Sequence, residues 1–173
     1  MKIETKRLIL IPLNYDQLIK YLKSDNSLES ELGLALNKRV VPDVLVDAFT
    51  KTILPAVRVN EDKYLFSTLW TIVLKSENTM VGDLCFKGVP NNFGEIEIGY
   101  GTYESFQGKG YMSEAIHSIS NWAFTQSGVN AIIAETESSN ISSHKVLKNN
   151  GFYNYQTIDN IIWWRLDRKN RTH

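Results

Sequence analysis

Cysteine is almost absent from this chain: Cys85 stands alone, so no disulfide framework within the chain holds the fold. Proline is scarce as well, with four residues at 12, 42, 55 and 90, and no Pro/Gly/Ser-rich stretch marks a linker. An excess of one charge is missing, because 19 Lys and Arg balance 19 Asp and Glu. A protein whose main work is gripping nucleic acid needs a surplus of cations on one face to neutralise phosphates, so no nucleic-acid partner is expected. Long apolar runs are missing too. The longest, Leu8 to Leu13, is already broken by Pro12, whereas a membrane-spanning helix needs about 20 residues. No membrane partner is expected. The first seven residues hold no apolar stretch of signal-peptide length, so the expected location is cytoplasmic. Repeats and low-complexity tracts are also lacking.

What is present is a chain of 173 residues, 43% hydrophobic, long enough to bury roughly 70% of its unfolded surface without a metal or disulfides. A single domain over 1–173 is the simplest reading. The run from Thr5 to Leu13 reads as a strand closed by Pro12 and Asn14. Asn14 suits an N-cap for a helix carrying Tyr15, Leu18, Ile19 and Leu22 at helical spacing. Further helices are predicted over Leu28 to Leu36 and Val44 to Val57, with Asp43 capping the second and Pro55 disturbing its end. Three strands follow as a meander: Leu65 to Leu74, Met80 to Phe86 and Gly94 to Tyr100. After Gly110 the apolar stripe of Tyr111, Met112, Ala115, Ile116, Ile119, Trp122 and Ala123 predicts an amphipathic helix of about four turns. Val129 to Ala134 reads as a buried strand, 140–149 as a helix stopped by Gly151, and 152–158 with 161–166 as a terminal strand pair. The fold class is α/β in the α+β sense, a mixed, mostly antiparallel sheet flanked by helices, in the order βααα-βββ-αβ-αββ.

The most informative segment runs from Glu95 to Ala115: a strand, a glycine-rich turn, then the amphipathic helix. Gly108 and Gly110 permit backbone conformations closed to other residues, and the first helical turn offers unpaired N–H groups with partial positive charge. A phosphate-bearing ligand over Gln107–Ser113 follows from that pairing. The plain alternative is a tight strand-to-helix connection with no ligand. A Walker-type loop is excluded, since no Gly-x-x-x-x-Gly-Lys-Ser/Thr string exists. A dinucleotide turn stays open: Gly108-x-Gly110 meets Ser113 where the third glycine belongs, although Glu135 ends the next strand and the meander argues against a doubly wound sheet.

Gln107-x-x-Gly110-x-Met112 resembles the Gln/Arg-x-x-Gly-x-Gly/Ala acyl-CoA motif of the GNAT superfamily of N-acetyltransferases. Thr5-Lys6-Arg7-Leu8-Ile9-Leu10, Gly99-Tyr100 before the loop, Ser113-Glu114-Ala115 after it, and Asn140-x-x-Ser143-x-Lys145-Val146-Leu147 running into Gly151-Phe152 extend the likeness over nearly the whole chain. The ordered set is similar to the branch of ribosomal-protein alanine and serine N-terminal acetyltransferases. Met112 departs from the small residue usual there and is expected to crowd the turn while leaving its N–H available.

The resemblance implies acetyl-CoA as co-substrate. Its pyrophosphate would lie on the amides of Gln107, Gly108, Lys109, Gly110, Tyr111, Met112 and Ser113, and its pantetheine arm along Tyr100, Gly101, Thr102 and Asn140. It also implies that the strand carrying Glu97 splays from the next one, and that a backbone N–H near Ile98–Tyr100 holds the developing oxyanion. The acceptor amine must lose a proton, which at pH 7 costs about 1 kcal/mol for an α-amino group and about 4.6 kcal/mol for a lysine. Glu97 is the candidate base, with Glu95 on the same face and the two carboxylates expected to raise each other's pKa; either is otherwise a solvated strand residue. The tyrosine acid usual in the superfamily is replaced by Leu147, which makes Ser143 the candidate to hydrogen-bond the sulfur. A helix-capping role alone also explains Asn140 and Ser143.

The remaining features point to packing. Cys85 reads as a core thiol, Trp163 and Trp164 as covering the core and the substrate cleft from opposite faces of one strand, and Arg165, Arg168, Lys169 and Arg171 as a solvated tail. His117 and His144 have no metal-ligand spacing, so no metal is expected. The expected activity is acetyl transfer to a primary amine, either a protein N-terminus or a small molecule such as a polyamine or antibiotic. A non-catalytic acyl-CoA-binding module is the competing class, and a homodimer is compatible with either.

Overall fold

In a computed structural model that describes residues 1–37, 41, 43–59 and 64–170, the N-terminal aliphatic run forms two antiparallel strands, β1 (Ile3–Glu4) and β2 (Leu8–Pro12). The strand predicted from Thr5 begins later because Thr5 and Arg7 leave the ladder. Thr5 Oγ1 closes a turn on the Leu8 N–H, and both residues reach Glu114 far along the chain. Asn14 caps α1 (Tyr15–Lys23) in a capping box: Asn14 Oδ1 accepts from the Gln17 N–H, and Gln17 Oε1 accepts from the Asn14 N–H.

Helix α2 (Ser27–Leu32) ends four residues before the predicted Leu36. Gly33 takes a φ of 66° there, and the Leu34 N–H closes back on the Glu29 carbonyl. The third helical segment joins α3 (Asp43–Ala48), a π-helical turn Phe49–Ile53 and α4 (Leu54–Val59). Pro55 therefore does not end it. A proline has no N–H to donate and its ring crowds the carbonyl four residues back; the widened turn, in which the Leu54 N–H bonds to Phe49 O, accommodates it. The cap predicted at Asp43 concerns a side chain outside the described residues.

Strand β3 (Leu69–Leu74) starts after a 3₁₀ turn at Tyr64–Phe66, later than predicted, with Trp70 Nε1 donating to the Leu65 carbonyl. Then come β4 (Thr79–Phe86), β5 (Glu95–Thr102), α5 (Tyr111–Thr125), β6 (Ala131–Glu137), α6 (Ile141–Asn149), β7 (Tyr153–Ile158) and β8 (Ile161–Asp167). The eight strands make one sheet in the order β1-β2-β3-β4-β5-β6-β8-β7. Every neighbouring pair is antiparallel except β5 and β6, which α5 joins as a parallel crossover.

Two cores sandwich the sheet. On one face Ile96 and Ile98 pack with Met112, Ala115, Ile116 and Ile119 of α5 and Leu147 of α6. On the other, Leu69, Val73 and Met80 pack with Leu18 and Tyr21 of α1, Leu28 of α2 and Phe49. Among the described residues no helix is long and apolar enough to cross a membrane.

Candidate functional site

Strand β5 changes partner along its length, pairing with β6 over its first three residues and with β4 from Ile98 onward. It faces β6 at three positions, Glu95↔Ala131, Ile96↔Ile132 and Glu97↔Ile133, whereas its pairing with β4 continues to Thr102. Beyond Glu97 the two parallel strands part. The Glu97 carbonyl accepts from the Lys87 N–H on the β4 side. By strand alternation, the backbone N–H and C=O of Ile98 and Tyr100 therefore face the opening gap. The close approach of β4 to this stretch depends on Gly82, where a Cβ would stand 2.5 Å from the Gly101 carbonyl oxygen.

Past the gap the chain makes the glycine turn. Gly108 and Gly110 adopt φ of 74° and 77°, and Gly110 is the N-cap of α5 without any side-chain cap. Glu114 is the first residue whose N–H returns to Gly110 O, so the N–H groups of Tyr111, Met112 and Ser113 point outward from the first turn. Met112 does not crowd the turn as predicted: its side chain is buried in the core against α5's own apolar stripe, and just its amide borders the loop. Gln107 Nε2 donates to the Thr102 carbonyl at 3.3 Å, and Lys109 Nζ lies 5.2 Å from the centre of the Phe106 ring. An open cleft of ≈ 570 Å³ adjoins this turn, bordered by Lys6, Gly110, Ser113, His117 and Asn149.

The loop is held by residues that give no local sign of it. Arg7 Nε donates to Glu114 Oε2 at 2.6 Å, its Nη1 donates to the Lys109 carbonyl at 3.1 Å, and its guanidinium lies over the Tyr111 ring. Burial acts to raise the Glu114 carboxyl, but hydrogen bonds from Thr5, the Arg7 N–H and the Arg7 guanidinium outweigh it and leave the pKa below the ordinary carboxylate value. Asn150 Nδ2 donates to the Ser113 carbonyl at 3.1 Å and the Val146 carbonyl at 2.9 Å, tying the end of α6 to the start of α5.

At the other end of the gap, Asn140 caps α6 by accepting from the Ser143 N–H at 3.1 Å. Tyr100 reaches across and donates its hydroxyl to the Ser143 carbonyl at 3.3 Å; burial pushes its phenol up to about 12, so it stays a donor. The half-buried Ser143 hydroxyl has no hydrogen-bond partner among the described residues. Leu147 is fully buried, and His144 is a core residue with Nε2 3.0 Å from the Glu137 carbonyl.

Glu95, Glu97 and Gly99 occupy the sheet face away from α5. The sequence suggests that Glu95 and Glu97 raise each other's pKa; the structure corrects this for Glu95. Arg165 Nη1 donates to it at 2.6 Å, and that hydrogen bond, with one from Asn91, holds its carboxyl below the ordinary range. Glu97 Oε1 instead meets the Lys87 ammonium, which also lies 3.0 Å from Glu135 Oε1. Burial works to lower the Lys87 pKa, and hydrogen bonds to the two carboxylates reverse it, leaving the ammonium above its ordinary value.

Arg165 is thus no tail residue but part of β8, bound to Glu95 and Asp167, and Arg168 Nη2 donates to the Gln126 carbonyl at 2.7 Å. Lys169 is exposed, and Arg171 lies outside the described residues. Trp164 is buried with Nε1 on Thr136 Oγ1, while Trp163 sits half-buried on the Glu135 side. No group of three or more His, Cys, Asp or Glu able to hold a metal occurs among the described residues. Sequence reading noted Arg7 only as part of a motif and Glu135 only for a dinucleotide site, and gave Lys87 and Arg165 no site role, since these contacts form through sheet register or long-range folding.

The family description Acetyltransferase (GNAT) domain matches residues 7–153. The uncharacterized N-acetyltransferase YjdG of Bacillus subtilis (strain 168) is 33% identical over 162 residues, covering 93% of this chain and 95% of that protein. Among solved structures, the ribosomal-protein-S5-alanine acetyltransferase of Vibrio fischeri superposes with a TM-score of 0.70 at 18% identity, covering 98% of each chain. RimL, a ribosomal L7/L12 alpha-N-protein acetyltransferase solved in complex with coenzyme A, superposes with a TM-score of 0.66 at 16% identity, covering 96% of this chain and 98% of that one. At these identities the structural likeness is one of fold.

Proposed function

The chain belongs to the GNAT acetyltransferase family, and on that premise we propose that it moves acetyl from acetyl-CoA to a peptide α-amino group, with 1–173 as one catalytic domain. The observation that carries this reading is the parting of β5 from β6 after Glu97, which leaves the Ile98 and Tyr100 backbone facing a gap that leads to the glycine turn. The residues present fit the co-substrate. Two positive-φ glycines and the outward amides of Tyr111, Met112 and Ser113 suit a pyrophosphate without needing cationic side chains. When bound, acetyl-CoA supplies the thioester whose carbonyl carbon is attacked.

Gln107, Gly108, Lys109 and Gly110 complete the phosphate turn. The edge formed by Tyr100, Gly101 and Thr102, with Asn140 at the far side, receives the pantetheine arm. A backbone N–H in the Ile98–Tyr100 stretch faces the gap and holds negative charge developing on the carbonyl oxygen. Glu97 takes the proton from the acceptor amine, directly or through water, as the N–C bond forms. The C–S bond then breaks, and the Ser143 hydroxyl donates to the departing sulfur. Leu147 provides no acid, which suits a coenzyme A thiolate able to leave near neutral pH.

The peptide acceptor has two supports. An α-amino group asks for about 1 kcal/mol of deprotonation at pH 7 where a lysine asks for about 4.6, matching a site with one candidate base and no tyrosine acid. The fold neighbours from Vibrio fischeri and RimL are, by their names, acetyltransferases of ribosomal proteins. The test is free-thiol release from acetyl-CoA across peptides with Ala, Ser or Met at a free N-terminus, their N-acetylated forms, polyamines and small amines. Release with the free-N-terminal peptides alone is expected; release restricted to small amines would move the acceptor to that class. Thermal stabilisation by NAD and not by acetyl-CoA would overturn the co-substrate.

A further inference from the structure

Lys87 leaves the end of β4 and crosses the outer face of β5. Its ammonium rests on Glu97 Oε1 and lies 3.0 Å from Glu135 Oε1. These carboxylates come from different strands. Glu97 is the last β5 residue paired with β6, and Glu135 stands two residues beyond its partner Ile133. The lysine therefore spans the vertex at which the strands separate, on the face from which an amine would approach the Ile98–Tyr100 backbone.

Two carboxylates converging on one nitrogen form an ammonium site, and its occupant is a side chain of the same protein. The contrast with the neighbouring cation is informative. Arg165 is fixed by two different guanidinium nitrogens on Glu95 and Asp167, a geometry that a planar fork holds firmly. Lys87 makes point contacts at the end of a flexible four-carbon stem, and its side chain stays 46% exposed, so it can swing outward. Glu97, at 20% exposed, is the most enclosed of the three groups and would lose most by being left without a cation. One ammonium replacing another costs little, whereas a neutral or anionic group arriving there leaves both carboxylates unpaired.

We propose that Glu97 and Glu135 form the subsite that binds the acceptor as a primary ammonium, and that Lys87 fills this subsite as an internal stand-in which the acceptor displaces. The proposal rests on the reading of this face as the acceptor side. It makes Lys87 and Glu135 specificity residues: Lys87 competes with every acceptor, and an acceptor gains access by carrying a positive charge at the nitrogen to be acetylated. After exchange the acceptor nitrogen lies on Glu97, the group proposed to take its proton.

The subsite can be watched without turnover by titrating the full-length protein with alaninamide in the absence of acetyl-CoA and following the lysine Nζ resonances by ¹⁵N NMR, the Lys87 signal being the one lost in Lys87→Met. A saturable shift of that signal with alaninamide, weakened in Glu135→Gln and absent with N-acetylalaninamide, is expected. In thiol-release kinetics Lys87→Met should lower the acceptor KM about fivefold, the scale of one half-exposed ion pair, with a smaller change in kcat, and Glu135→Gln should raise the KM. A Lys87 signal insensitive to alaninamide, or an acceptor KM unchanged or raised in Lys87→Met, would overturn the proposal. Should the wild type release no thiol with any amine, the acetyl-transfer reading fails while the titration still decides the subsite.

Discussion

Arg7 Nε and Glu114 Oε2 meet at 2.6 Å although 107 positions separate the two residues in the chain. The same guanidinium donates to the Lys109 carbonyl, and Glu114 also accepts from the Arg7 N–H and from Thr5 Oγ1. The glycine turn, whose own sequence favours freedom, is thus clamped from outside. Arg7→Ala should raise the acetyl-CoA KM severalfold with a smaller effect on kcat. Because the Arg7 side chain is 42% exposed, solvent screening limits the stability loss to about 1 kcal/mol, or about 2–4 °C in Tm. Glu114 has a folded pKa below its ordinary 4.5, so its stabilising contribution is present above that value and is lost as the pH falls through the folded pKa. The acid limb of a thermal-stability profile should accordingly be shallower in Arg7→Ala than in the wild type. An unchanged KM for acetyl-CoA would show that the clamp does not position the turn.

Replacing the proposed base tests the chemistry. Glu97→Gln should lower the rate about tenfold near pH 8 and about 100-fold near pH 6, because an α-amine is increasingly protonated at the lower pH and then depends more on a base. A pH–rate profile of kcat/KM parallel to that of the wild type would remove Glu97 from this role.

Cys85 faces Gly99 across the β4–β5 ladder, and burial pushes its thiol up to about 11. At pH 8 its thiolate fraction is about two orders of magnitude below that of a free cysteine, so labelling by a disulfide reagent should be slowed at least that much in the native protein. Unfolding in guanidinium should restore the normal rate. Rapid native labelling would mean that this part of the sheet opens readily.

Gly82 and Gly101 make a paired test of strand approach. A methyl at Gly82 would stand 2.5 Å from the Gly101 carbonyl oxygen, while one at Gly101 meets nothing within 4 Å. Gly82→Ala should therefore cost about 1–3 kcal/mol and weaken acetyl-CoA binding by pushing β5 away, and Gly101→Ala should cost much less. Chemical denaturation of the two variants reads the difference directly; equal losses would refute the steric account.

The elements with local causes were legible in the chain. Asn14 and Gln17 carry a capping box within four residues, Gly108 and Gly110 mark their own positive φ, and the stripe from Tyr111 to Ala123 repeats at helical spacing. Where a prediction failed locally, a single residue explains it: Gly33 stops α2 early. The disturbance expected at Pro55 takes the form of a π turn just before it, through which the helix continues. Met112 breaks a motif yet causes no crowding, since its side chain turns into the core.

By itself, then, the sequence determined the order of strands and helices from β2 onward and the position of the glycine turn, because those follow from interactions between residues a few positions apart. The tertiary structure alone decided which charges meet. Glu95 and Glu97 share one strand face, two residues apart, yet Arg165 holds the first and Lys87 the second. It also decided that β5 and β6 part after three paired positions. Both outcomes depend on register between segments far apart in the chain, and register is set by the packing of the whole sheet between its two cores, which no short window of residues encodes.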